Sequence, residues 1–126
     1  MTDPAPLEAL RKALRAVSGL ELLVLYGSRA RGEESAASDW DFGYLGSNVD
    51  PAALYDRISQ VLRTNAVDLV DLSTASGLLR FQAARDGIPL VETSTELFAG
   101  FAIRAALHWY DVEPIVRRAH DDLLAG

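Results

Sequence analysis

Residues 20–46 read LELLVLYGSRARGEESAASDWDFGYLG, and the fold turns on how this stretch is read. It begins with an apolar run of strand length, Leu20–Tyr26, of the kind that suits a strand buried on both faces. Gly27 and Ser28 break the run. A polar loop, GEESAAS, leads to DWDFGYL (39–45), a second strand in which Asp39 and Asp41 stand one residue apart in an otherwise apolar segment. Alternate side chains of a strand share a face at a rise of about 3.3 Å per residue, so these carboxylates would lie roughly 5–7 Å apart, with Trp40 on the other face. At about 6 Å and an effective dielectric of ~20, two like charges repel by about 3 kcal/mol. A pair so placed calls for positive charge between its members.

Outward from this stretch, helix and strand signals alternate. Asp3 with Pro4 reads as a capped helix start, Leu7, Leu10, Leu14 and Val17 recur at helical spacing, and Gly19 is placed to end that helix. Pro51 opens a second helix with Leu54, Ile58, Val61 and Leu62 on one face. NAVDLVDL (65–72) reads as a third strand, and Ser73 or Thr74 as the cap of a helix running to about Arg85 and ended by Gly87. IPLVE (88–92) reads as a short fourth strand. Thr93 with Glu96 makes a capping box for a long helix to about residue 111, which Pro114 kinks or restarts before it runs on to Leu124. The pattern predicts an α/β (α+β) chain: a small mixed sheet of about four strands packed against helices, with a long C-terminal helix and one domain over 1–126.

Composition narrows the function classes. The 126 residues include 18 acids against 12 bases, a net charge of −6, and no cysteine. Affinity for a nucleic-acid backbone comes from neutralising phosphates, so an acidic chain argues against direct nucleic-acid binding and suits a basic protein partner better. Without cysteine there is no disulfide and no thiolate metal site. No apolar run approaches the ~20 residues that span a bilayer, and MTDPAPLEALRKAL lacks the apolar core of a signal peptide, so a cytoplasmic location is expected.

Chemistry gathers in the opening stretch. A Gly-Ser turn between a buried strand and a short helix is where exposed backbone N–H groups collect an anion, commonly phosphate. It is neither a Walker A loop nor a dinucleotide fingerprint, because the lysine of the one and the glycine spacing of the other are absent. Asp39 and Asp41 are hard oxygen ligands suited to Mg²⁺, which takes a few carboxylates together with substrate phosphates. A third acid on a neighbouring strand would complete a two-metal site, with Asp68 and Asp71 as candidates. Three positions apart, these two face opposite sides of a regular strand, so at most one belongs to the site. Arg29 and Arg31 are open to phosphate contact or to pairing with Glu33, Glu34 or a site carboxylate. His108 reads as a packing or interface residue and His120 as solvated, and two isolated histidines make no zinc site. Ile103, Leu107, Trp109 and Tyr110 read as a core cluster, with a partner-contact surface as the alternative, and Trp40 reads as core beneath the sheet.

Gly27-Ser28, ten residues, then Asp39-Trp40-Asp41 resembles the G-S-x10-D-x-D signature of the DNA polymerase β-type nucleotidyltransferase superfamily. LYGSRARGEESAASDWD resembles more closely the minimal nucleotidyltransferase (MNT) domains of prokaryotes, and VDLVDLSTAS and RDGIPLVE resemble their usual continuation. The resemblance spans residues 20 to 92, roughly, and implies a nucleotidyltransferase fold. It implies Gly27 and Ser28 at the nucleotide triphosphate, Arg29 and Arg31 as further nucleotide-binding residues, and Asp39 and Asp41 holding two Mg²⁺ ions. Asp68 matches the third carboxylate, which activates the attacking hydroxyl and helps bind metal, with Asp71 the alternative. Small members of this group are the MntA-type antitoxins of HEPN/MNT toxin–antitoxin systems, which transfer AMP from ATP to a tyrosine of a HEPN ribonuclease toxin. A chain of this size with no separate substrate domain is similar to these, and a hetero-oligomer with the toxin follows. The rival readings are an occluding antitoxin without catalysis and an enzyme that modifies a small molecule such as an aminoglycoside.

Overall fold

The computed structural model describes residues 4–125, so Asp3, the expected helix cap, lies outside the described residues. LELLVLY forms β1 (Leu20–Tyr26), which is flanked on both sides within a four-stranded sheet. DWDFGYL supplies β2 (Trp40–Gly46), VDLVD supplies β3 (Val67–Asp71) and IPLVE supplies β4 (Ile88–Glu92). The strand order is β3-β2-β1-β4, and β1 runs antiparallel to both its neighbours while β2 and β3 run parallel. A parallel pair needs a crossover, and α3 (Pro51–Leu62) provides it. The Asp50 side chain caps α3 by accepting from the amides of Ala52 (3.1 Å) and Ala53 (3.3 Å), with Pro51 preset for the first turn.

Helices cover both faces, which is why β1 is apolar along its length except at exposed Glu21. On one face α1 (Pro4–Leu14) and α3 bring Leu7, Leu10, Leu14, Leu54 and Ile58 onto Leu23, Leu25, Phe42 and Tyr44. On the other, α4 (Gly77–Asp86) and α5 (Leu97–Ala125) bring Ala83, Phe101 and Ala105 onto Leu22, Val24, Tyr26 and Leu72. The five-residue α2 (Gly27–Arg31) joins β1 to the loop before β2.

Several boundaries differ from the sequence reading, each for a local reason. The first helix stops at Leu14, and Val17 packs against the core from the turn beyond it. Gly19 instead shapes the entry to β1: its φ is +81° and an added Cβ would lie 2.1 Å from the Ser47 carbonyl oxygen. Ser76, not Ser73 or Thr74, caps α4 by accepting from the Leu79 amide at 3.2 Å. Ser73 is engaged elsewhere, donating its amide (2.9 Å) and hydroxyl (2.6 Å) to Asp71 Oδ1. At the start of α5, the Thr93 amide donates to the Glu21 carbonyl and Glu92 Oε2 accepts from the Phe98 amide at 3.2 Å. Thr93 thus extends the sheet, and Glu92 occupies the place expected for a Thr93–Glu96 box. The long helix continues through Pro114 to Ala125, giving up the one ladder bond that proline cannot donate.

The expected core cluster on α5 is mostly outside: Ile103 (61%), Leu107 (61%) and Tyr110 (66%) are exposed. Phe101 and Ala105 form the buried stripe, and at 3.6 residues per turn the other three lie roughly 180–240° around the helix from Phe101. Trp109 is half-buried, stacked on Phe81 at 5.9 Å.

Leu10 is fully buried in the core cluster that α1 and α3 form on one face of the sheet. Replacing it, Leu10→Ala, is expected to cost about 2–5 kcal/mol of stability in urea unfolding while ligand binding by the folded fraction is unchanged.

Candidate functional site

The two carboxylate-bearing strands are held in a register that brings their acids together. Asp41 of β2 stands opposite Asp68 of β3 on one side and opposite Tyr26 of β1 on the other. Adjacent strands are about 4.8 Å apart, so three polar residues line one short row across the sheet. Asp39 lies one residue before β2, two positions from Asp41 and therefore towards the same face. Asp71 pairs with Tyr44, one step out of phase, and its carboxylate caps the strand end through Ser73. Asp68 and not Asp71 therefore joins the row.

The crowding has electrostatic consequences. Partial burial, then the charge of Asp68, then that of Asp39, push the Asp41 carboxyl above its ordinary value, with Arg31 pulling the other way. Burial, followed by the charges of Asp41 and Asp68, pushes the Tyr26 phenol up to about 12. Tyr26 is a member of this site that sequence reasoning missed. As the last residue of an apolar run it looks like core, and only the pairing of β1 with β2 sets it beside Asp41.

Gly27 follows Tyr26 with φ +75°, a conformation that glycine adopts without penalty. An added Cβ would lie 2.3 Å from Asp41 Oδ2, so the absence of a side chain is what lets the turn approach the carboxylate. Ser28 follows in α2, and its carbonyl oxygen accepts from the Glu33 amide at 2.9 Å, closing the turn back on itself.

The two arginines of the turn are both engaged. Arg29 donates from Nε (3.1 Å) and Nη2 (2.8 Å) to the Ser38 carbonyl oxygen, and its guanidinium lies 4.2 Å from the centre of the Trp40 ring. Arg29, expected at the phosphate, thus also clamps the backbone just before Asp39. Trp40, expected as core, is half-buried between that guanidinium and Phe42, with which it stacks at 6.3 Å. Arg31 donates to Glu33 Oε2 (3.0 Å) and to Asp86 Oδ2 (3.2 Å), and its charge is felt at Asp41.

Two or three hard oxygen donors beside a turn with no Cβ suit a magnesium ion, and an accumulation of unneutralised negative charge is what such an ion relieves. Among the described residues no three His, Asp or Glu side chains are already drawn together at metal-binding distance. Magnesium does not need three, since it is held by one or two carboxylates, water and substrate phosphates. His108 and His120 are both exposed on α5, outside this row of acids.

A strand–turn–strand frame with acids in this register has the donor set that nucleotidyl transfer requires, and the chain belongs to the family described as polymerase beta, nucleotidyltransferase, whose profile matches residues 8–96. Within that family the chain is MntA-like. The protein adenylyltransferase MntA of Aphanizomenon flos-aquae (strain 2012/KM1/D3) is 32% identical to it over 82% of this chain and 78% of that protein. Among solved structures, a chain of a toxin–antitoxin crystal structure with AMP-PNP superposes with a TM-score of 0.77 at 26% identity, covering 94% of this chain and 98% of that one. A chain from the complex of a tri-AMPylated Shewanella oneidensis HEPN toxin with an MNT antitoxin shares the fold at a TM-score of 0.73 and 24% identity, covering 95% and 97%. Among the described residues, no helix is long and apolar enough to cross a membrane.

Because Asp41 ionises less readily in the folded chain than in the unfolded one, it opposes folding once ionised. Its contribution is most favourable below the ordinary value of 3.8 and is lost as pH rises through the raised folded value. Asp41→Asn is therefore expected to raise the melting temperature of the metal-free protein at pH 7, with the gain vanishing below about pH 3.8, as thermal melts across pH would record. Gly27→Ala should do the reverse: strain at positive φ and the contact with Asp41 should lower stability by roughly 1–3 kcal/mol and abolish the site's ligand binding.

Proposed function

We propose that this chain is a magnesium-dependent protein adenylyltransferase that moves AMP from ATP to a tyrosine hydroxyl of a HEPN-domain ribonuclease toxin and so serves as its antitoxin. The observation that carries this reading is the register that sets Asp41 opposite Asp68 beside the Gly27-Ser28 turn. The likeness to an MntA adenylyltransferase, and to toxin–antitoxin chains solved with AMP-PNP and with an AMPylated HEPN toxin, supports the choice of nucleotide and acceptor. A stable hetero-oligomer with the toxin, acting in the cytoplasm where ATP is plentiful, belongs to the same proposal.

In this reading Asp39 and Asp41 hold the metal, with Asp68 as a further ligand. When bound, magnesium supplies positive charge against the phosphate oxygens and the departing pyrophosphate. Gly27 and Ser28 receive the triphosphate, the glycine by leaving room and the serine by donating its hydroxyl. Arg31 adds a guanidinium at the same rim, while Arg29 keeps the 38–39 backbone in place. Asp68, exposed on β3, accepts the proton of the tyrosine hydroxyl as its oxygen bonds to the α-phosphorus and the bond to pyrophosphate breaks. No covalent enzyme intermediate is needed, because aligning acceptor and leaving group supplies the catalysis.

The test pairs the purified chain with a HEPN-domain protein as acceptor, Mg²⁺ and ATP, and follows intact mass. AMP-sized increments on the partner's tyrosine are expected. Asp39→Asn with Asp41→Asn should reduce their rate by at least about a hundredfold, and Asp68→Asn alone by roughly 10²–10⁴-fold. An unmodified partner that still binds would point to inhibition by occlusion, and AMP on a small molecule without partner would point to small-molecule modification.

A further inference from the structure

At the rim of the acidic row, one carboxylate holds two arginines. Asp86, the last residue of α4, accepts from Arg85 Nε at Oδ1 (3.0 Å) and from Arg85 Nη2 at Oδ2 (2.9 Å). The same Oδ2 accepts from Arg31 Nη1 at 3.2 Å, across 55 residues of sequence. The Asp86 side chain is only 11% exposed, whereas Arg31 is 38%, Arg85 54% and Glu33 63% exposed. Asp86 is thus the fixed member of the group, and the guanidinium groups reach over it. Ile88, two residues on, stands opposite Leu25 next to Tyr26, which places Asp86 beside the carboxylate end of β1.

Arg31 closes the short helix that begins with Gly27 and Ser28, so a side chain that fixes Arg31 also fixes a cation at the far end of the phosphate turn. Its two carboxylate partners are not equivalent. Glu33 is two residues away and well exposed, and an exposed ion pair of that kind is exchanged at little cost. Asp86 is held by Arg85 and comes from another element. A phosphate can therefore take the place of Glu33 at Arg31 while Asp86 keeps the guanidinium aimed, and Arg31 Nη2 has no acceptor among the described residues. A guanidinium presents a planar fork that matches phosphate oxygens, so its direction matters as well as its charge.

We infer that Asp86 is a positioning residue, which holds Arg31 over the carboxylate row so that it receives the β- and γ-phosphates of a nucleoside triphosphate. The inference rests on the proposed nucleotidyl transfer, but its test is read by binding as well as by turnover. The full-length chain is titrated calorimetrically with α,β-methylene-ATP and Mg²⁺, as wild type, Asp86→Asn, Arg31→Ala and the double variant. Asp86→Asn keeps the side-chain shape and so preserves the fold, which a thermal melt checks. Each single substitution is expected to weaken binding on the order of tenfold, the scale of one charge-assisted hydrogen bond. The double variant should bind no more weakly than Arg31→Ala, because Asp86 acts through Arg31. Asp86→Glu, which retains the carboxylate, should recover most of the affinity, and in turnover the KM for ATP should rise more than kcat falls.

Losses that add in the double variant, or an Asp86→Asn chain that binds like wild type, would overturn the positioning role. Coupled binding losses in a chain that modifies no partner would leave that role intact and remove the adenylyltransferase reading. A wild-type chain that binds no triphosphate analogue would remove both.

Discussion

Asp41 and Asp68 stand opposite one another across a parallel strand pair, like charges in register, which a sheet ordinarily avoids. The rest of the fold makes that arrangement obligatory. A slip of one residue between β2 and β3 would move Asp68 away but would also turn Leu69 and Leu72 out of their respective cores. Because helices cover both faces of the sheet, neither side tolerates that exchange. The two cores thus hold a repulsive register that the strands alone would not choose, and the stored repulsion is what a cation can relieve.

The two arginines of the turn hold different parts of the chain. Arg29 is turned back onto Ser38 and Trp40, where it fixes the approach to Asp39. Arg31 is held by Glu33 and by Asp86 of α4, and its charge is felt at Asp41. Gly27 completes the arrangement by omission, since any side chain there would occupy the space against Asp41. A net charge of −6 does not exclude a local site for a polyanion, because screening limits each charge to its own surroundings.

The strands and most helices were legible because their signals are local. LELLVLY, DWDFGYL and IPLVE are short apolar runs bounded by turn residues, and each forms a strand within a residue of its expected limits. Helix starts were less legible where two hydroxyls or carboxylates competed. Ser73 is captured by Asp71 and Glu92 caps the Phe98 amide, and both outcomes depend on where neighbouring chain lies in space. The apolar residues of α5 were misread for a related reason. Ile103, Leu107 and Tyr110 have the composition of core, but which face of a helix is covered depends on what packs against it.

By itself, the sequence determined the alternation of helices and strands, the turn at Gly27-Ser28 and the placing of Asp39 and Asp41 on one face, since these follow from spacing along one segment. Parity also allowed at most one of Asp68 and Asp71 into the site, and the family resemblance favoured Asp68. Only the tertiary structure shows which of them stands beside Asp41, because register is a relation between strands: Asp68 stands opposite Asp41, and Asp71 stands opposite Tyr44. The same holds for Tyr26 beside Asp41 and for Asp86 beneath Arg31, partners brought from 15 and 55 residues away along the chain. Their meeting depends on long-range packing, to which no local pattern in the sequence corresponds.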